Sequence, residues 1–321
     1  MTAIVRIVGC WATVAAAVGL ITDASWSPAA TTVALAAAFG PLRDALAKNR
    51  GTALGPPLIW AAAALAAALA AEWVAWGEAP DNGRPSSGLW IYLSTLAALA
   101  ALASVLNARR PGGGAWAILM IMLVVVFLIP WLEGAWMVRQ RDGWDRLRLV
   151  FPWNLFLALL IFAGTTNFLF TRHGPSAMIA LGGFVAAWSA LCLTSLDVRL
   201  RGALFGWVPW SWAAAIHLAA ILPRRSRPEE SDLDRMWLWF RDRWGSAWAL
   251  RIRDRFNATA AASSWPIRLD WNGARRANPS EAGRAEIPGE AATVLAGLLR
   301  RFADHETLAA ASRRSDRADL A

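Results

Sequence analysis

Lysine is all but missing from this chain. Lys48 is the only one, so arginine carries nearly all of the 32 positive charges. Cysteine is equally scarce: Cys10 and Cys192 both sit inside apolar runs. Two such distant thiols make neither a disulfide framework nor a metal-ligand spacing, and they read as small buried hydrophobes. The chain has three histidines and no Cys-x-x-Cys-His, so no haem attachment, metal site or other cofactor is expected. Hydrolase and nucleotide-binding signatures are missing too. There is no Gly-x-Ser-x-Gly, and "PGGG" at 111–114 is not followed by Gly-Lys, so it reads as a loop. Ser189 and His217 fall in neighbouring apolar segments. Helical rise separates them in depth by roughly 10 Å, too far for a nucleophile and its base.

Charge of either sign makes up 17% of the residues, whereas apolar residues make up 57% and mean hydropathy is +0.37. A soluble domain rarely exceeds about half apolar, so the composition is that of a membrane protein. Heavy use of Ala, Arg and Trp points to a GC-rich bacterial genome, and hence to the bacterial cytoplasmic membrane. The formal net charge is +9. With no nucleic-acid motif beside it, that charge is read as a match for anionic lipid headgroups rather than nucleic acid.

Apolar stretches recur at 3–22, 26–41, 54–76, 88–106, 115–137, 150–171, 176–196 and 203–222. They predict an all-α polytopic bundle of about eight transmembrane helices over residues 1–222. The second stretch is the weakest, being short and rich in small residues. Loops at 42–52 (Arg43, Lys48, Arg50) and 107–114 (Arg109, Arg110) are basic. The intervening "TDASWSP" has no basic residue and "GEAPDNGRPSSG" only Arg84. The positive-inside rule then puts the N-terminus in the cytoplasm and, with eight crossings, the C-terminus there as well. One loop objects. "MVRQRDGWDRLR" at 137–148 falls outside, yet carries Arg139, Arg141, Arg146 and Arg148. These arginines are candidate contacts for an anionic group.

From 223 the chain becomes polar, with 18 arginines against 14 acidic residues. Residues 223–308 are expected to form a small cytoplasmic α-rich domain with one short strand, and 309–321 a disordered tail. In "SDLDRMWLWFRDRWGSAWALRIRDRF" (231–256), Trp237, Phe240, Trp244 and Trp248 share a helical face. Ser231 or Asp232 is placed to cap the helix, and Gly245 to bend or break it. A crossing here would bury Asp234, Arg235, Arg241, Asp242 and Arg243 in lipid, which is disfavoured by roughly 5–10 kcal/mol. The aromatic face is instead expected to lie on the membrane surface or meet a partner while the continuation packs on "WPIRLDW" (265–271), or else the whole stretch forms the core of a small soluble domain. That heptapeptide alternates as a strand does. "ARRANPS" looks a poor partner for it, although Asn272–Gly273 offers a turn. A further amphipathic helix is predicted over 288–308.

Candidate chemistry lies in ionisable groups within the spans. Glu72 and Glu133 fall near the outer ends of odd-numbered segments, each followed by a tryptophan a turn later. They could pair at an outward cavity, or simply reach the headgroups. His217, about five residues from the inner end of its span, has Thr165, Thr166 and Asn167 at similar depth. These four could form a polar inner half-site, or make single interhelical bonds. Three functions fit these features: a non-enzymatic anchor or scaffold whose cytoplasmic tail binds a protein partner or itself, a proton- or ion-coupled transporter, and a membrane-embedded enzyme acting on an anionic lipid or envelope precursor.

Overall fold

The computed structural model describes residues 2–22, 26–77, 85–106, 108, 113–138, 149, 151–193, 195–223, 231–277 and 288–312. Eight helices come first: α1 Thr2–Ile21, α2 Ser27–Lys48, α3 Gly55–Gly77, α4 Pro85–Val105, α5 Gly113–Val138, α6 Trp153–Leu169, α7 Gly174–Cys192 and α8 Val198–Ile221. The tail adds α9 Asp232–Ala262, the strands β1 Ile267–Asp270 and β2 Gly273–Arg276, then α10 Gly289–Leu299 and α11 His305–Ser312.

Among the described residues, α1, α3, α4, α7 and α8 are long and apolar enough to cross a membrane. Their outward faces agree with a membrane location. On α1, Ile4, Ile7, Trp11, Val14, Val18 and Ile21 are all exposed at steps of three and four. The same kind of stripe runs along α5 (Ile118, Ile121, Val125, Ile129, Leu132) and the shorter α6 (Leu155, Leu159, Phe162). Continuous exposed apolar stripes of this length are compatible with a lipid surround. Exposed Trp26, Trp73, Trp76 and Trp90 gather at the bundle end away from the tail, as residues of an aromatic belt do.

The second helix is longer than its apolar stretch suggests, because α2 continues through a buried Pro41 to Lys48. Its modest hydrophobicity follows from its position. It packs on α1, α3 and α8 at once and buries Thr31, Ala34, Ala38 and Leu42. Small residues let the surrounding backbones approach closely, and only a narrow stripe of Ala29, Val33 and Ala36 is left exposed along its apolar part. The other boundary that shifts is α8, which starts at Val198 because the Asp197 side chain accepts a hydrogen bond from the Leu200 N–H at 2.7 Å.

The helices run antiparallel in sequence, and one bundle end collects the N-termini of α1, α3 and α7 with the C-termini of α2, α4, α6 and α8. The tail docks on this end. Its core of Trp237, Phe240, Trp244, Trp248, Ile252, Phe256, Leu295, Leu299 and Phe302 is continuous with Leu54, Val105 and Ala108 at this end of the bundle.

Within the tail, Ser231 and Asp234 form a capping box that starts α9. Gly245 breaks its regularity with φ +77°. Here three expectations need correction. First, β1 is not alone: it pairs antiparallel with β2, Ile267 opposite Arg276 and Asp270 opposite Gly273. "GARR" serves as the partner because its hydrogen bonds come from the backbone, and Asp234 accepts from Ala274 N–H at 2.6 Å to fix the turn. Second, the aromatic face of Trp237, Phe240, Trp244 and Trp248 is not presented to a membrane or partner. All four are buried, covered by the tail's own Phe302 and by the α4 end. Third, the helix expected over 288–308 is interrupted, since Ala303 forms a bridge with Thr52 of the α2–α3 loop. α11 then extends to Ser312, inside the segment expected to be disordered; 313–321 lie outside the described residues.

Candidate functional site at the seam between bundle and tail

Asn167, near the C-terminus of α6, is buried against the kink in α9. Its amide donates to the Trp244 carbonyl at 3.1 Å and accepts from the Ala247 N–H at 2.9 Å. A helix broken at Gly245 leaves backbone groups on either side without helical partners, and one asparagine side chain satisfies two of them. The contact is close enough that a Cβ on Gly245 would lie 2.3 Å from Asn167 Nδ2. Three tryptophans fasten the rest of the tail through their indole N–H groups. Trp244 donates to Ala108 O (3.0 Å), Trp248 to Val105 O (3.2 Å) and Trp271 to Phe170 O (2.9 Å). These bonds land on carbonyls at or just beyond the ends of α4 and α6.

The α2–α3 loop is held too. Ala53 N–H donates to Phe302 O at 2.8 Å and Asp304 N–H to Gly51 O at 3.0 Å. Arg243 Nε donates to Asn49 Oδ1 at 3.1 Å while its guanidinium lies over the Trp239 ring. Asp242 is buried; one of its oxygens accepts from Arg241 (2.7 and 3.0 Å) and from the Arg172 N–H (3.4 Å).

Between the tail and the bundle these residues leave a cavity of about 370 Å³. Four cationic side chains line it, Arg6 of α1, Lys48 of α2, Arg172 of the α6–α7 corner and Arg243 of α9, beside the two carboxylates Asp44 and Asp242. Arg6 pairs with Asp44 at 2.9 Å, tying the start of α1 to the end of α2. The wall towards the bundle is apolar, formed by Leu58 and Ala61 of α3 and Ile216, Ala219 and Ala220 of α8. His173 also lines the cavity; its Nε2 accepts from Arg172 Nε at 3.1 Å. Burial, reinforced by Arg172, lowers the His173 pKa from 6.5 to about 4, with Asp242 opposing.

On its other side the tail carries a groove of about 680 Å³ between the second half of α9 and α10. Arg251, Arg255 and Arg301 line it with Asp254, over a floor that includes Ile252 and Leu298. Arg251 stacks on Trp248.

The remaining sequence-predicted residues do not form one site. Glu72 is buried within the bundle, whereas Glu133 is exposed on α5, so the two do not form a carboxylate pair. His217 is buried, with Nε2 3.0 Å from the Ala34 carbonyl and the ring packed over Gly9, where a Cβ would meet it at 2.2 Å. Counting helical rise from the tail end, Glu72 and His217 differ in depth by roughly 18 Å, so no proton passes directly between them. Thr165 and Thr166 bond to carbonyls of their own helix, Ile161 and Phe162, while Asn167 turns to the tail. Arg139, Arg141, Arg146 and Arg148 lie outside the described residues. The cavity residues escape sequence reading because they come from six separate segments with no shared spacing. The basic ends of α2 and of the α6–α7 corner were the one visible signal. No protein-family model, curated protein or solved structure matches the chain.

Proposed function

We propose that this is a bacterial inner-membrane protein with eight crossings and both termini in the cytoplasm, acting as a non-enzymatic scaffold. In this reading the bundle presents a rigidly docked tail whose basic groove takes an acidic segment of a protein partner. The groove carries the argument. Three arginines face one carboxylate there, over apolar floor residues, on a domain whose aromatic face is already occupied by its own chain. Charge complementarity of this kind selects and orients partners. Support for eight crossings comes from the lipid-type stripes of α5 and α6 and from the packing of α2 between α1, α3 and α8. Support for a cytoplasmic tail comes from the basic residues at the docking end, Arg43, Lys48 and Arg50.

Two measurements test this. In a variant with Cys10 and Cys192 replaced by alanine, Arg268→Cys should resist a membrane-impermeant maleimide in intact spheroplasts and react in inverted vesicles. Labelling in spheroplasts would refute the orientation. Reversing Arg251, Arg255 and Arg301 to glutamate should abolish the associations that deletion of 223–321 also abolishes, with the bundle still inserted. Associations and phenotype unchanged by that deletion would refute the scaffold.

Proton- or ion-coupled transport draws support from one observation, the burial of Glu72 in the bundle. Reconstituted flux that survives neutralisation of Glu72, Glu133 and His217 together would remove it.

A further inference from the structure

We propose that the seam cavity is a binding site for a phosphate-bearing anion, and that the anion clamps the tail to the bundle. The cavity's lining sets four cations against two carboxylates. Both carboxylates already hold arginines, Asp44 with Arg6 and Asp242 with Arg241. The lining is therefore net positive, and a cleft lined by one sign of charge concentrates the opposite ions. Arginine forks and a lysine are the side chains that hold phosphate oxygens best.

The volume of about 370 Å³ lies within the range of small-molecule sites. The groups also come from both sides of the seam: Arg6, Lys48 and Arg172 from the bundle, Arg243 from the tail. An anion bound among them bridges the two parts. The apolar wall on α3 and α8 runs from the cationic rim into the bundle. That is the sequence of surfaces a phospholipid needs, with headgroup phosphate at the rim and chain along the helices. A free phosphate would use the rim alone.

The test uses the full chain in a neutral detergent and follows its thermal unfolding, so it depends on neither membrane orientation nor a protein partner. Three probes are compared: phosphatidylglycerol, phosphatidylcholine and inorganic phosphate. Saturating phosphatidylglycerol should raise Tm by on the order of 5 °C more than phosphatidylcholine does. The difference should vanish in Lys48→Gln/Arg172→Gln and persist in Arg268→Gln, an exposed strand position away from the cavity. Lys48→Gln alone, an exposed substitution, should at least halve the difference and serves if the double variant does not fold. A comparable rise with inorganic phosphate, lost in the same variants, supports the site and identifies a soluble source. No rise with either anion, or a rise undiminished by the cavity substitutions, overturns the proposal.

Discussion

At the residue scale, Gly245 and Asn167 act as a pair. A positive φ is strained for any side-chain-bearing residue by about 1–3 kcal/mol, and a Cβ at Gly245 would also strike the Asn167 amide. Gly245→Ala should therefore destabilise tail docking by more than the backbone strain alone. Asn167→Leu should cost about 1–3 kcal/mol for each of the two backbone groups it leaves unbonded. Because both changes break one arrangement, the double variant should lose less than the sum of the two. Tm and the rate at which a protease attacks residues 231–312 would measure this; strict additivity would contradict the pairing. His173 adds a pH dependence. Its folded pKa of about 4 is below the ordinary 6.5, so unfolding takes up a proton between those values. Its contribution to stability is complete above pH 6.5 and is lost as pH falls towards 4. The acid-side decline of Tm should be shallower in His173→Gln. An identical decline would show that other groups set it.

At the scale of elements, much of the architecture was legible and the reasons for the remainder are physical. Long apolar runs specify helices because an unpaired backbone cannot enter lipid, so α3, α4 and α7 lie within a few residues of where hydropathy puts them. The break at Gly245 was equally plain, and the cap was narrowed to Ser231 or Asp232, because both are local chemistry; that Ser231 caps in a box with Asp234 came from the structure. β2 was obscured because its partner side chains carry no alternating pattern; Asn257 and Asp234 hold the hairpin through backbone bonds instead. The buried aromatic face of α9 was misread for a different reason. Periodicity shows that Trp237, Phe240, Trp244 and Trp248 need cover, but not whether lipid, a partner or the same chain supplies it. The candidate site was the least legible, since Arg6, Lys48, Arg172 and Arg243 meet only after the bundle has formed.

At the scale of the whole molecule, bundle and tail are one body. The tail's core includes Leu54, Val105 and Ala108, and three of its indoles end on bundle carbonyls. Residues 231–312 produced without the bundle should therefore expose the Trp239, Trp244 and Trp248 side and self-associate. Size-exclusion chromatography with near-ultraviolet circular dichroism would show this as large species lacking fixed aromatic signals. A monomer with sharp aromatic bands would mean the tail is stable alone.

The strand-like clasp between the α2–α3 loop and the last turns of the tail sets an order of events during synthesis. The Ala53 N–H and Gly51 carbonyl find their partners only when Phe302 and Asp304 have been made. At ordinary ribosomal rates that delay is on the order of ten seconds or more. Through it the early hairpins wait with one end unsealed, so a chain that stalls late in translation keeps the Ala53 N–H and the Gly51 carbonyl exposed where the finished chain covers them.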